Sequence, residues 1–393
     1  MSRIVFTGTF ALAPKSTMRA RALPLARALA AMGHTVTMVL PPWDNPADSG
    51  RAWEDAGVHI VNVALPPRAP LVWYPWLAKR LLRAVLDLQP DVVHAFKPKG
   101  FSAFVARSLL RSHPEVRVVV DTDDWEGDGG WNSVEPYPWW QKRVFASQER
   151  WLLRHAPAVT CASLELVRMA TAVRGSDAGL HYLPNGAYPW PEPADGAVAA
   201  LRSSLSLPPG RPVVLLYTRF VECGPERFVR LLHLVALQGI APAVLLVGEG
   251  LHGEQAAFRA EAERTGLPLP VTEAGWVAAE VLPYHLALGD AALFPMADTV
   301  INRTKCSVKL IDLLSAGVPV VAEAVGQNRA YIEDGVSGVL TPAGDDAALA
   351  AALAALLADP ERRSRLGTAA RGRMQAEFAW ERLAAGLPQV YAR

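Results

Sequence analysis

The chain has 393 residues, 51% of them hydrophobic, and a net charge of +1, which suits two domains of ordinary size with separate cores and argues against nucleic acid as a partner. No apolar run reaches the roughly 18 residues of a membrane span. The three cysteines, Cys161, Cys223 and Cys306, are scattered, which argues against a disulfide framework or a zinc site and fits a reducing cytoplasm.

The N-terminus, MSRIVFTGTF, reads as the start of a strand, Ile4–Thr7, rather than a signal peptide. A helix over Thr17–Met32 follows, closed by Gly33. Strands are predicted at Val36–Leu40 and Val58–Val63, a helix at Leu71–Leu88, a strand at Asp91–Ala95, a helix at Phe101–Arg111 and a strand at Val116–Asp121. A long helix, Trp139–Arg154, leads to strand Ala158–Ala162, helix Ser163–Val173 and strand His181–Leu183. The Pro- and Ala-rich stretch 189–210 reads as a linker. The alternation restarts with strands at Val213–Tyr217, Val244–Val247, Val271–Thr272, Ala291–Phe294 and Val318–Ala322, and the Ala/Leu run Ala347–Ala358 reads as a packed helix. Alternation of this kind argues for parallel sheets wrapped by helices, with ligands beyond the carboxyl ends of the strands.

Residues 291–340 carry the most chemistry. Strand Ala291–Phe294 runs into a polar loop, then a helix from about Ser307 that carries Asp312 and ends at Gly317, then strand Val318–Ala322. A helix N-terminus placed this way holds an anion through its free N–H groups and its dipole. An acid one turn on can accept a hydrogen bond from a ribose hydroxyl. The segment reads as a pocket for a nucleoside diphosphate.

It resembles the donor-binding core of family 4 glycosyltransferases. Lys309-Leu310-Ile311-Asp312 fits the second acid of the family's acidic pair, and Ala316-Gly317-Val318-Pro319-Val320-Val321-Ala322 fits its closing run. The resemblance implies a GT-B fold: two Rossmann-like α/β domains with parallel sheets facing a cleft. The expected division is an acceptor-side domain over 1–188, a linker over 189–210, a donor-binding domain over 211–375, and a C-terminal helix over 376–393 packing back on the first domain.

The resemblance also assigns residues. Gly8, after the first strand, would offer backbone to the donor. Gly248 and Gly250 match the family's V-G-x-G, and Trp276 with Val277 its nucleobase-side turn. Arg219 would face the donor diphosphate. The family's second cation belongs five residues on, where this chain has Gly224, so Arg227, Lys305 or Lys309 would replace it. Counting back from Asp312 puts the first acid at Thr304, and counting forward from Pro295 puts it at Thr299, so the loop is five residues longer than the pattern. Asp298 or Asn302 would then reach the sugar, and Lys305, Cys306, Ser307 and Val308 would form the anion-holding turn. Asn185-Gly186 matches the family's element before the linker. His94, in His94-Ala95-Phe96-Lys97-Pro98, stands in a family histidine element whose second His is replaced by Phe96. It is a candidate for contacting acceptor or phosphate, against the alternative of a satisfied core histidine.

Lys97 and Lys99 are acceptor-side candidates, as are Asp123, Asp124 and Glu126 in the loop Asp121–Gly127. That loop could hold a hard cation, but GT-B enzymes of this type generally need none, so no metal or other cofactor is expected. Residues 1–190 hold 21 Lys+Arg against 16 Asp+Glu and 10 of the 12 tryptophans. Two aromatic–basic clusters there, around Trp73–Arg83 and Tyr137–Arg154, suit an anionic membrane surface; core tryptophans with solvated charges are the plainer alternative.

The implied reaction is transfer of a sugar, with retention, from a nucleotide sugar to an acceptor hydroxyl, lipid-linked or polysaccharide, as in cell-envelope glycan synthesis. The expected partners are that donor and acceptor, and the expected place is the cytoplasm, peripherally at the inner face of the membrane. Two alternatives stand beside it: a catalytically silent, nucleotide-sugar-binding partner subunit, and another GT-B enzyme such as a nucleotide-sugar epimerase.

Overall fold

The computed structural model describes residues 1–14, 17–67, 72–194 and 196–392. The chain forms two compact units. The first comprises Met1–Gly186, Thr304–Cys306 and Trp380–Arg393, and the second Ala187–Arg303 and Ser307–Ala379. Leu71, where the helix over 71–88 was expected to start, Asp195 in the predicted linker and the terminal Arg393 lie outside the described residues.

In the first unit eight strands form one sheet: β1 (Arg3–Thr7), β2 (Thr35–Leu40), β3 (Ala52–Asp55), β4 (Val58–Asn62), β5 (Val92–Phe96), β6 (Arg117–Thr122), β7 (Ala158–Cys161) and β8 (Leu180–Tyr182), in the order β3-β4-β2-β1-β5-β6-β7-β8. Every pairing is parallel except β3 with β4. β1 sits centrally, with Ile4 opposite Val36 on one side and Val92 on the other. Its neighbours β2 and β5 are buried along nearly their whole length, as strands covered by helices on each side must be. β3 escapes sequence reading because its residues, AWED, show no apolar run. As an edge strand it stays charged, which guards against pairing with another chain.

The helices of this unit are α1 (Leu23–Ala31), α2 (Trp73–Asp87), α3 (Gly100–Ser112), α4 (Trp131–Val134), α5 (Trp139–His155) and α6 (Leu164–Arg174). The single helix expected over Thr17–Met32 begins instead as a π-helical turn, Met18–Ala22. Pro24 has no N–H for the carbonyl four residues back, and the widened turn absorbs that gap. Two short C-terminal helices, Trp380–Ala385 and Leu387–Tyr391, belong to this unit, and Trp380, Leu387 and Tyr391 join the core formed by α1, β1, β2 and β4.

α5 buries Ala146, Leu152 and Leu153, and with them Glu149, which is 1% exposed. Glu149 Oε1 accepts the Glu126 N–H at 3.0 Å. Burial pushes its carboxyl up to about 8. A group raised in the folded state contributes stability that is full below its unfolded pKa and is lost as pH rises through the folded value. We therefore expect Glu149→Gln, which keeps the accepting oxygen and cannot ionise, to raise Tm at pH 8.5 more than at pH 5, by about 2–4 °C per kcal/mol relieved. Equal shifts at both pH values in a thermal melt would refute it.

The second unit is a six-stranded, all-parallel sheet of β9 (Val213–Tyr217), β10 (Ala243–Val247), β11 (Val271–Gly275), β12 (Ala291–Phe294), β13 (Val320–Glu323) and β14 (Val339–Thr341), in the order β11-β10-β9-β12-β13-β14. Its helices include α7 (Ala197–Ser204), α8 (Pro225–Leu237), α9 (Glu254–Thr265), α10 (Leu282–Leu286), α11 (Val300–Thr304), α12 (Val308–Ser315), α13 (Asn328–Tyr331), α14 (Asp346–Ala358) and α15 (Pro360–Glu377). The stretch 189–210 is thus not irregular throughout. Its prolines flank α7, whose sequence AVAALRSS is proline-free and rich in good helix formers. The polar loop after β12 likewise contains α11.

Candidate active site

The carboxyl ends of β9, β10 and β11 are laced together by backbone. Thr218 N donates to Val247 O at 3.0 Å and Gly248 N to Gly275 O at 2.8 Å. Gly248 has φ +107°, and a Cβ there would lie 2.2 Å from the Thr218 carbonyl oxygen. Only glycine allows this approach. Arg219 follows directly. Its guanidinium lies 5.6 Å from the centroid of the Trp276 ring, and its Nε is buried without a hydrogen-bond partner among the described residues. Trp276 is 62% exposed, so a ring face remains for a ligand. Val277 is half-buried beside it. Gly250 packs against Glu254, whose carboxylate would meet a Cβ at 2.3 Å.

β12 and α12 supply the other wall. Ser307 precedes α12 in extended conformation. It makes no capping bond, and its Oγ is buried with no partner among the described residues. The first N–H groups of such a helix have no intrahelical acceptor. Lys309 on the first turn pairs with Glu222 at 3.2 Å. Asp312, one turn on, accepts from the Tyr217 hydroxyl at 3.3 Å. Burial pushes the Asp312 carboxyl up to about 7 against the opposing pull of Tyr217 and Lys309. Burial and Asp312 together push the Tyr217 hydroxyl upward, so it stays a donor. Tyr217 links Arg219 to Asp312, and Lys309 links Asp312 to Glu222, so these five side chains form one connected neighbourhood. Tyr217 and Glu222 were not singled out from sequence: one ends an apolar strand, and the other lies in a loop without pattern.

Other expected residues are placed differently. Asn302 is used inside the loop, where its Nδ2 donates to Glu222 O at 3.0 Å and Ala297 O at 2.9 Å. Asp298 pairs with Arg303, which holds its carboxyl below the usual range. Val308 is exposed at 39%. Arg227 cannot serve as a free second cation: it is committed to Glu323 at 2.7 Å and Asp346 at 2.8 Å. Glu323 is fully buried and also accepts the Met296 N–H at 2.7 Å, so this pair fastens β13 to α8 and α14.

In the first unit, Cys306 is a packing residue. Asn185 reaches it through N to Sγ at 3.1 Å and Nδ2 to the carbonyl at 2.9 Å. Asn185 Oδ1 in turn accepts from Arg21, which forms a two-pronged buried pair with Asp121 at 2.8 and 2.6 Å. Gly8 packs on Met18, whose sulfur would lie 2.3 Å from a Cβ there. His94 is a core residue rather than a contact residue. It is fully buried, and its ring nitrogens engage Tyr391 Oη and Thr160 Oγ1, each at 3.0 Å. Burial pushes it down to about 4, so it is neutral.

Lys97 and Lys99 meet the acidic loop. Lys97 Nζ lies 2.7 Å from Asp124, 3.2 Å from Asp123 and 3.4 Å from Glu126, and Lys99 Nζ lies 2.6 Å from Glu126. Burial pushes Asp123 up to about 6. Burial would raise Asp124 too, but Lys97, with help from Lys305, holds it below the usual range. These three carboxylates thus share two lysines.

The family model described as "Glycosyl transferase 4-like domain" matches residues 16–186, and that of "Glycosyl transferases group 1" matches residues 211–359. The chain is 31% identical over 361 residues to a D-inositol 3-phosphate glycosyltransferase of Xylanimonas cellulosilytica, spanning 79% of this chain and 84% of that one. It is 26% identical over 373 residues to a GDP-mannose-dependent α-(1-6)-phosphatidylinositol monomannoside mannosyltransferase of Mycobacterium tuberculosis, spanning 92% and 91%. In structure it is similar to HepE of Anabaena, solved with UDP and glucose, with a TM-score of 0.73, 18% identity and 99% of each chain covered.

Proposed function

The chain belongs to the family 4-like glycosyltransferases of the GT-B type, and from that premise we propose that it transfers a hexosyl group from a nucleotide sugar to an acceptor hydroxyl with retention of configuration. Two observations support the donor site: a half-buried Arg219 whose Nε lacks a partner among the described residues, and the uncapped start of α12 at Ser307. Each offers hydrogen-bond donors suited to negative charge. In this reading Arg219, Lys309 and the α12 terminus take the diphosphate, Asp312 holds the ribose, and the exposed Trp276 face carries the base.

The bond from the sugar C1 to the phosphate oxygen breaks as the bond from the acceptor oxygen to C1 forms. The departing phosphate oxygen takes the acceptor proton. The protein's part is positioning and stabilising the charge that leaves, and no divalent cation enters. The acceptor is a lipid-linked or polysaccharide hydroxyl, and the names of the relatives make GDP-mannose and inositol-containing acceptors the first substrates to try.

The test is a calorimetric screen of UDP-, GDP- and ADP-sugars, followed by hydrolysis and transfer assays with and without EDTA. One donor binding and turning over with EDTA present, with the anomeric configuration kept, is the expected result. Binding without hydrolysis or transfer would favour the silent partner subunit, and no binding at millimolar donor would sink the donor site.

A further inference from the structure

Helix α5 presents an exposed aromatic and cationic face. Its inward side is Ala146, Glu149, Leu152 and Leu153. Along the outward side run Trp139, Arg143, Ser147, Arg150 and Arg154, spaced three or four residues apart, with Trp140 and Val144 beside them. Trp139 is 71% and Trp140 55% exposed, whereas rings of that size are usually mostly covered. The Arg143 guanidinium lies 6.0 Å from the Trp139 centroid. The helix has one carboxylate, Glu149, and it faces inward, so the exposed stripe is cationic and aromatic without an acid.

Alongside opens a groove of about 820 Å³ lined by residues that include Asp128, Asn132, Lys142, Arg143, Ser147 and Arg150. Three cations against one carboxylate leave it positive. Asn132 is 5% exposed and donates through Nδ2 to the Lys142 carbonyl at 2.9 Å, while its Oδ1 has no partner among the described residues. The groove thus offers cations for a phosphate. The other aromatic–basic cluster, on α2, is more engaged: Tyr74 stacks on Phe101, Trp73 Nε1 donates to Pro66 O, and Arg80 donates to Ala64 O.

We propose that this face of α5 docks the first unit onto an anionic lipid bilayer, with Trp139 and Trp140 at the interface and the Lys142–Arg150 groove on the phosphate of a headgroup. The inference deepens the lipid-linked acceptor reading above by naming the surface that meets the membrane. Interfacial tryptophans beside cations are the pattern such surfaces use.

The test is co-sedimentation of the full chain with phosphatidylcholine vesicles, with and without phosphatidylglycerol, at low and high salt. Binding is expected only with phosphatidylglycerol, weakened by salt. Each cation near such a surface contributes about a factor of five, so Lys142→Glu with Arg143→Glu should weaken binding by about 10²-fold or more. Trp139→Ala with Trp140→Ala should weaken it and abolish the blue shift of tryptophan emission on binding. Thermal melts check that both variants fold, and nucleotide-sugar binding should be unchanged in both. A loss of vesicle binding with donor binding intact thus separates this proposal from the donor site. No phosphatidylglycerol dependence, or sedimentation unaltered in both variants, would overturn it, as would binding of soluble glycerol phosphate without any binding to vesicles.

Discussion

Arg219→Ala should lower kcat by about 10²–10³-fold, the usual cost of removing one preorganised donor from developing negative charge. Arg219 stands at the carboxyl end of β9 on a loop braced by Gly248, and its Nε has no hydrogen-bond partner among the described residues. A cation whose Nε is left with donor capacity can take up a ligand's anion, and in this reading its interaction with a diphosphate grows as the sugar departs. Arg219→Lys should recover part of the loss, because a lysine keeps the charge but not the two-pronged geometry. Steady-state kinetics with the donor found in the screen would decide it. An unchanged kcat in Arg219→Ala would remove the residue from the reaction, and a change in KM alone would assign it to binding only.

Asp312→Ala should weaken donor binding by about 10–100-fold, the value of a hydrogen bond to a charged group. The pH dependence gives a sharper readout. Burial places the Asp312 carboxyl at about 7, so the carboxylate that would accept a ribose hydroxyl is half present there, gained as pH rises through that value and lost as pH falls below it. Donor affinity should rise from pH 5.5 to 8, approaching at most about tenfold per unit on the acid side. A nucleotide sugar is a suitable probe, because its doubly esterified diphosphate does not titrate in that range. In Asp312→Asn the profile should be flat and the affinity low throughout. Calorimetry across pH measures both. A flat native profile, or an identical slope in the Asn variant, would place the titrating group elsewhere.

The two predictions rest on parts of the chain that differ in legibility. The β12–α12–β13 unit is visible in the sequence because parallel strands covered on both faces read as short apolar runs, and because Gly317 and Pro319 punctuate the return. Arg219 is visible because it follows such a run directly. Tyr217 is not, since nothing local says that its hydroxyl meets Asp312 across 95 positions. The helices in the predicted linker and in the polar loop are not legible, because α7 has only eight residues between prolines and α11 only five, too few for a periodicity count.

The same limit explains the residues whose meaning changed. A histidine inside an apolar strand looks alike whether it faces a substrate or the core. His94 is settled by Thr160, 66 residues away, and Tyr391, 297 residues away. Lys97 and Lys99 read as free cations until β5 and β6 pair and bring the acidic loop to within ion-pair distance. Arg227 reads as a spare cation until β13 and α14 bring Glu323 and Asp346 against it.

By itself the sequence determined the alternating α/β character, the parallel sheets and the strand–loop–helix–strand turn at α12, because these follow from local patterns of burial and from backbone needs of glycine and proline. Tertiary structure alone decided which charges remain available to a ligand. A buried charge must find a partner, and in a parallel sheet that partner comes from a strand or helix distant in sequence.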